Sequence, residues 1–317
     1  MEQIVFLDRN TIPAHIALPS PVFEHQWTQH PATRPDQVIE RLADATIAIT
    51  NKVVLDAAIL AQLPKLKMIA IAATGTNNVD LAYCHEHGIT VCNIRGYAVD
   101  SVPEHAIAMM FALRRNLLGY HRDIQQGVWQ EKNQFCFFTH PIKDIRGATL
   151  GLIGSGGLGQ AMATLGQALG MNVIFAERKE AQSCREGYQP FHEVLAQADV
   201  LSLHCPLNSE TLNLIGHDEL KAMKSSAVLL NTGRGGLVDE QALVDALLTG
   251  SIAGAGCDVF TEEPADNSNP LIANSHLPNL LLTPHVAWGS DSAIQTLANQ
   301  LIDNLNAFYA GTPQNQV

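Results

Sequence analysis

The sequence predicts an α/β protein built from two doubly wound parallel-sheet units, and three observations carry that prediction. Short β-type runs alternate with helical patterns near the start, one long helical stretch interrupts the alternation, and a second alternating series then opens on a glycine-rich strand-to-helix turn. A length of 317 residues suits this division, because a domain usually takes roughly 100 to 200 residues. With 46% apolar and 16% charged residues the chain can bury two sizeable cores and has no composition of disorder.

In the first series, Ile4 to Asp8, Ala45 to Thr50, Lys67 to Ala73 and Thr90 to Ile94 read as strands. The stretches near Asp36 to Leu42, Val54 to Gln62 and Asp80 to His87 read as the helices between them. The long helical stretch runs from Ser101 to about Gly119, with Glu104 three residues after Ser101 in the manner of a capping box and Pro103 in its first turn. It should lead out of the first unit. The second series has strands at Thr149 to Ile153, Asn172 to Ala176, Val200 to Leu203, Ala227 to Leu230, Gly254 to Asp258 and Leu280 to Leu282. A final helix, Ser290 to Tyr309, places Ile294, Leu297, Leu301, Leu305 and Phe308 at spacings of three and four, so one face should pack on a core. Periodicity leaves open whether that helix returns to the first unit. The polar stretch Pro313 to Gln316 is expected to fray.

The formal charge of −12 disfavours nucleic acid and anionic membranes as partners. The opening Met1-Glu2-Gln3-Ile4-Val5-Phe6 has an early acid and no basic leader, and reads as a strand rather than a signal peptide. No run approaches the roughly 20 apolar residues of a membrane span. Cysteines 84, 92, 136, 184, 205 and 257 form no Cys-x-x-Cys pair and read as reduced thiols of a cytoplasmic protein. His85 and His87, two apart, point to different faces of a helix, so no metal site is expected.

The chemistry begins at Gly154-Ser155-Gly156-Gly157-Leu158-Gly159. This turn follows a strand and opens the helical run Leu158 to Leu169, the context a dinucleotide fingerprint requires. Glycines there allow a tight turn, close approach of the pyrophosphate and close helix packing, while the helix N-terminus favours the phosphates. Glu177 ends the next strand, 18 residues beyond Gly159, where a carboxylate can accept both adenosine ribose hydroxyls. That favours NAD. The adjacent Arg178 and Lys179 keep NADP open, since a cation can neutralise a 2′-phosphate.

Three later strand ends each bring one ionisable residue suited to reducing a 2-oxo acid: Arg234, Glu263 and His285. Arg234 can clamp a carboxylate, His285 can protonate a ketone oxygen as hydride arrives, and Glu263 can hold His285 and favour its imidazolium. Hydride addition to a carbonyl develops charge on oxygen, so a proton donor is needed there.

With their flanking residues these segments closely resemble the D-isomer-specific 2-hydroxyacid dehydrogenase family over nearly the whole chain. The resemblance rests on Ala198-Asp199-Val200 through His204-Cys205-Pro206-Leu207, on Asn231-Thr232-Gly233-Arg234-Gly235-Gly236, and on Asp258-Val259-Phe260 followed by Glu263-Pro264. It implies that Arg234 binds substrate, Glu263 orients the histidine and His285 is the acid/base, and that Thr74, Gly75 and Thr76 belong to a substrate-binding loop. Cofactor contacts implied are Gly154, Gly156, Gly157, Leu158, Gly159, Glu177, Cys205, Pro206, Thr232, Gly233, Arg234, Asp258 and His285, with Asp258 near the nicotinamide amide. Also implied are a substrate domain of residues 1–98 plus 288–317, an NAD-binding Rossmann-like domain of residues 99–287 facing it across a cleft, and a homodimer formed through the segment between about Val99 and Ile145. Arg95 to Val99, Phe135 to Phe138 and Pro284 to Trp288 resemble the glycerate dehydrogenase or hydroxypyruvate reductase branch, which implies hydroxypyruvate and glyoxylate as substrates. Glu263 argues against a formate dehydrogenase, which has no proton to shuttle. Phosphoglycerate dehydrogenase and a dinucleotide-sensing co-repressor are lesser alternatives.

Overall fold

The computed structural model describes residues 1–317, which divide into two compact units, Met1–Tyr97 with Gly289–Val317, and Ala98–Trp288. No helix is long and apolar enough to cross a membrane.

The first unit begins with β1 (Glu2–Phe6) and β2 (His25–Gln29), followed by α1 (Val38–Leu42), β3 (Ile47–Thr50), α2 (Ala57–Leu60), β4 (Met68–Ile71), α3 (Leu81–Glu86) and β5 (Thr90–Cys92). All five strands are parallel, in the order β2-β1-β3-β4-β5. β3 and β4 are buried along their whole length, which is why they read as unbroken apolar runs. Asp56 and Asp80 start α2 and α3 by accepting from the backbone N–H of Ile59 and Tyr83, each at 2.9 Å. β2 escaped the sequence reading because it is an edge strand, His-Gln-Trp-Thr-Gln, with no fully buried residue and hence no apolar signal.

The second unit opens with α4 (Ser101–Arg114), α5 (Leu117–Gln125) and α6 (Val128–Lys132). The helix predicted from Ser101 to about Gly119 therefore breaks early, because Asn116 sits in the left-handed region at φ 49°. The expected capping box at Ser101 is also absent: the helix is preceded by Asp100, with no side-chain cap. Then follow β6 (Thr149–Ile153), α7 (Gly157–Ala168), β7 (Asn172–Ala176), β8 (Tyr188–Gln189), α8 (Phe191–Gln197), β9 (Val200–Leu203), α9 (His217–Ala222), β10 (Val228–Asn231), α10 (Glu240–Leu248), β11 (Gly254–Cys257), α11 (Pro270–Ala273) and β12 (Leu280–Leu282). The parallel order is β12-β11-β10-β9-β6-β7-β8, the doubly wound Rossmann arrangement extended by one strand. Strand order reverses between β6 and β9, so the crevice that receives ligands in such sheets lies beyond their carboxyl ends. Val194, Leu201, Leu229 and Leu243 pack one face of this sheet, and Met109, Met110, Leu152 and Leu230 the other.

The chain then re-enters the first unit as α12 (Asp291–Tyr309), whose Ser290 cap accepts from Ala293 N at 3.2 Å. Ile294, Leu297, Leu301 and Leu305 are buried as their spacing requires. The stretch after it does not fray, contrary to the sequence expectation. Gln316 bridges antiparallel to Cys92, Asn93 N donates to Asn315 O at 3.1 Å, and Val317 N donates to Val91 O at 3.1 Å. Buried Asn304 on α12 secures the arrangement, donating to Asn93 O and accepting from Asn315 Nδ2, both at 2.9 Å.

Candidate active site

At the switch point the turn after β6 lies against the turn after β9. Gly154 adopts φ 100°, and a Cβ there would stand 2.5 Å from His204 C and O and 2.6 Å from Cys205 N. Only glycine fits. Gly159 packs equally closely on Gly154 O. Gly156 differs, since it is exposed, has an ordinary φ of −69°, and a Cβ on it would meet nothing within 4 Å. No part of the protein explains that glycine, whereas a pyrophosphate resting on the N-terminus of α7 does.

Two shielded polar atoms nearby support the same fit. His204 Nδ1 and Thr232 Oγ1 are buried without a hydrogen-bond partner, although such atoms are nearly always satisfied in a completed structure. They belong to the ends of β9 and β10. His204 Nε2 lies 2.9 Å from Ser202 Oγ, and burial pushes the imidazole pKa down to about 4. Burial likewise pushes the Cys205 thiol up to about 11, which keeps it protonated and inert. Leu158 and Gly157 sit in the first turn of α7, and Pro206 is exposed beside Cys205.

Glu177 follows β7 directly, with its carboxylate buried and fully engaged. Oε1 accepts from Arg178 N at 2.9 Å and Arg185 Nη2 at 2.8 Å; Oε2 accepts from Arg185 N at 3.1 Å and Arg185 Nε at 2.7 Å. The Arg185 pairing and these N–H groups hold its pKa down to about 2. Lys179 instead pairs with Glu219 at 2.8 Å. Sequence reasoning looked for cations next to Glu177 and missed Arg185, eight residues on in a polar loop that carries no periodic signal.

The ends of β10, β11 and β12 are neighbours in the sheet and bring forward Arg234, Glu263 and His285. His285 Nδ1 lies 2.6 Å from Glu263 Oε2, while Glu263 Oε1 accepts from Phe260 N at 3.0 Å. The carboxylate therefore assigns the proton to Nδ1 and leaves Nε2 to exchange protons with a ligand. Arg234 is half-buried, with Asn231 Nδ2 bound to its carbonyl at 2.8 Å and its own Nη1 donating to Gly233 O at 2.7 Å. Arg234 thus arrives on an adjacent strand end rather than in the histidine–carboxylate pair.

His285 has φ 55°, a strained value for a residue with a side chain. Asp258 enforces it. The Asp258 carbonyl accepts from His285 N at 2.7 Å, and its wholly buried carboxylate accepts from Val286 N and Ala287 N, each at 2.9 Å, and from Thr283 Oγ1 at 2.5 Å. Asp258 is accordingly engaged in holding the histidine turn. His105 on α4, which the sequence reading passed over, touches Thr283 Oγ1 at 3.0 Å from behind.

Thr74, Gly75 and Thr76 belong to the first unit, beyond β4. Thr74 Oγ1 donates to Ile94 O at 2.7 Å and Asn93 Nδ2 donates to Thr74 O at 2.8 Å, so the loop is pinned to the chain after β5.

Comparison with known proteins gives consistent likenesses. The family description "D-isomer specific 2-hydroxyacid dehydrogenase, NAD binding domain" matches residues 107–287. A Haemophilus influenzae protein named for the 2-hydroxyacid dehydrogenases is 53% identical over 96% of this chain and 98% of its own length. The glycerate dehydrogenase of Methylorubrum extorquens is 48% identical over 100% of this chain and 99% of its own. Among solved structures, a protein from Thermus thermophilus superposes with a TM-score of 0.85 at 30% identity, covering 99% of both chains.

Proposed function

The chain belongs to the D-isomer-specific 2-hydroxyacid dehydrogenases, NAD-binding oxidoreductases of 2-hydroxy acids, and from that premise we propose that it interconverts hydroxypyruvate and D-glycerate, and reduces glyoxylate to glycolate. The observation that carries the reading is the 2.6 Å contact between His285 and Glu263 at a strand end beside Arg234. NADH supplies the hydride. His285 Nε2 gives its proton to the ketone oxygen as charge develops there, and Glu263 stabilises the imidazolium through Nδ1–H. In the reverse direction the neutral imidazole takes the hydroxyl proton back. Arg234 pairs with the substrate carboxylate, and Thr74, Gly75 and Thr76 form a substrate-binding loop of the first unit. The glycine turn and the N-terminus of α7 would hold the pyrophosphate, and Cys205, Pro206, Thr232 and Gly233 would contact the dinucleotide. The sequence similarity to a glycerate dehydrogenase supports a C3 substrate bearing a hydroxymethyl group.

We further propose a cytoplasmic homodimer. The segment between α4 and β6 exposes the large apolar side chains Phe135 (94%), Phe138 (78%), Leu117 and Trp129, of the kind that a subunit interface covers.

The test is a panel of small 2-oxo acids with NADH, followed by absorbance. Hydroxypyruvate should give the highest kcat/KM. A clear preference for pyruvate or a bulkier 2-oxo acid would overturn the substrate assignment, and a monomeric mass in solution would overturn the dimer.

A further inference from the structure

A carboxylate at the end of the second strand of such a sheet selects NAD by accepting the 2′- and 3′-hydroxyls of the adenosine ribose. It needs free lone pairs to do so. A carboxylate has about four acceptor positions, and Glu177 has committed them to Arg178 N, Arg185 N, Arg185 Nε and Arg185 Nη2. A ribose diol can reach Glu177 only by displacing the Arg185 side chain. That side chain is held on a second side as well. Its guanidinium carbon lies 3.9 Å from the centre of the Tyr188 ring, and the Tyr188 hydroxyl donates to Ser155 Oγ in the glycine turn. The arginine is thus joined, through one aromatic residue, to the turn that receives the pyrophosphate.

We propose that Arg185 is the coenzyme-selecting residue of this site, and that by pairing with Glu177 it opens the adenosine end to the 2′-phosphate of NADPH as well as to NADH. The inference rests on the dinucleotide reading given above. Glu177 left alone would repel a 2′-phosphate. Neutralised by Arg185 it no longer does, and the Nη1 group that Glu177 does not use remains to bind the phosphate oxygens. With NADH, Arg185 swings off and Glu177 takes the diol, so one salt bridge serves both coenzymes in its two positions. The side chain is 57% exposed, which gives it room for that movement. Lys179 is less suited, because it is committed to Glu219, and Arg178 meets Glu177 only through its backbone N–H, so it is Arg185 whose side chain neutralises that carboxylate.

The experiment measures Kd for NADH and NADPH by quenching of protein fluorescence, and kcat/KM for both with hydroxypyruvate, on the wild-type protein, Arg185→Gln and Glu177→Gln. Wild type should bind the two coenzymes within about tenfold of each other. Arg185→Gln should lower the NADPH-to-NADH affinity ratio by about tenfold or more, the expected size for loss of a charge-assisted contact, and Glu177→Gln should raise it. A ratio that Arg185→Gln leaves within about threefold of wild type, with both coenzymes still bound, overturns the inference and leaves the dinucleotide site standing. Failure of the wild type to bind either coenzyme overturns both. The binding measurement does not depend on the substrate, so an error there leaves this test readable.

Discussion

Substituting His285 separates its chemistry from its scaffolding. Its backbone is fixed by Asp258 and its ring by Glu263, so His285→Ala should fold, still bind NADH, and lose about 10² to 10⁴ in kcat for hydroxypyruvate, the usual range for a general acid–base group. Glu263→Gln keeps a partner for Nδ1 but removes the negative charge that contacts the ring at 2.6 Å; kcat should fall by about 10 to 100. Steady-state rates together with NADH titrations check both, and full turnover by His285→Ala would remove it from the mechanism. At this scale the candidate site was legible as an expectation. Arg234, Glu263 and His285 stand at strand ends and carry groups whose chemistry declares itself. Arg185 and His105 were not legible, because each acts through a contact made across the fold: Arg185 reaches back from a polar loop to Glu177, and His105 reaches from α4 to Thr283.

Elements, more than residues, distinguish the two glycines of the dinucleotide turn. Gly154→Ala pushes a Cβ into the backbone after β9 at a positive φ, so it should destabilise the second unit by several kcal/mol, about 3 or more, or prevent its folding. Gly156→Ala meets open space, so the melting temperature should change little while NADH affinity falls about tenfold or more. Thermal melts with and without NADH distinguish the two. Equal loss of stability in both variants would mean that Gly156 is needed by the fold and not by a ligand. The same scale explains which strands the sequence revealed. Central strands such as β3, β4, β9 and β10 are buried on both faces and show as apolar runs. The two that did not show, β2 and β8, each lie at one edge of their sheet, where they are half-exposed and free to be polar; the opposite edges, β5 and β12, kept enough apolar residues to be read. The early end of α4 was hidden for another reason: an asparagine signals a left-handed break only weakly among good helix formers.

For the whole molecule, acid should act first through His204. Burial holds its folded-state pKa at about 4, against 6.5 when unperturbed. Between those values the unfolded chain binds a proton that the folded chain refuses, so stability is full above about pH 6.5 and falls as pH drops toward about 4. The loss between pH 7 and 5 should be about 2 kcal/mol from this group. Denaturant midpoints at the two pH values, compared with those of His204→Gln, measure it; an identical pH dependence in that variant would assign the loss elsewhere. Glu177, whose folded pKa is depressed to about 2, contributes in a lower window, with stability present above about 4.5 and lost as its carboxylate protonates.

The short antiparallel seam between Val317, Gln316 and the β5 edge also bears on how this protein behaves in a crowded solution. β5 ends its sheet, and an uncovered edge of parallel strands presents unpaired N–H and C=O groups to any other chain. The seam fills part of that row, at Val91 O, Cys92 and Asn93 N. Deleting residues 313–317 should therefore cost little activity per folded molecule, yet yield a preparation that scatters light and precipitates at concentrations where the full chain stays clear. A short, mostly polar segment thus covers backbone groups of the β5 edge that would otherwise stand open to another chain.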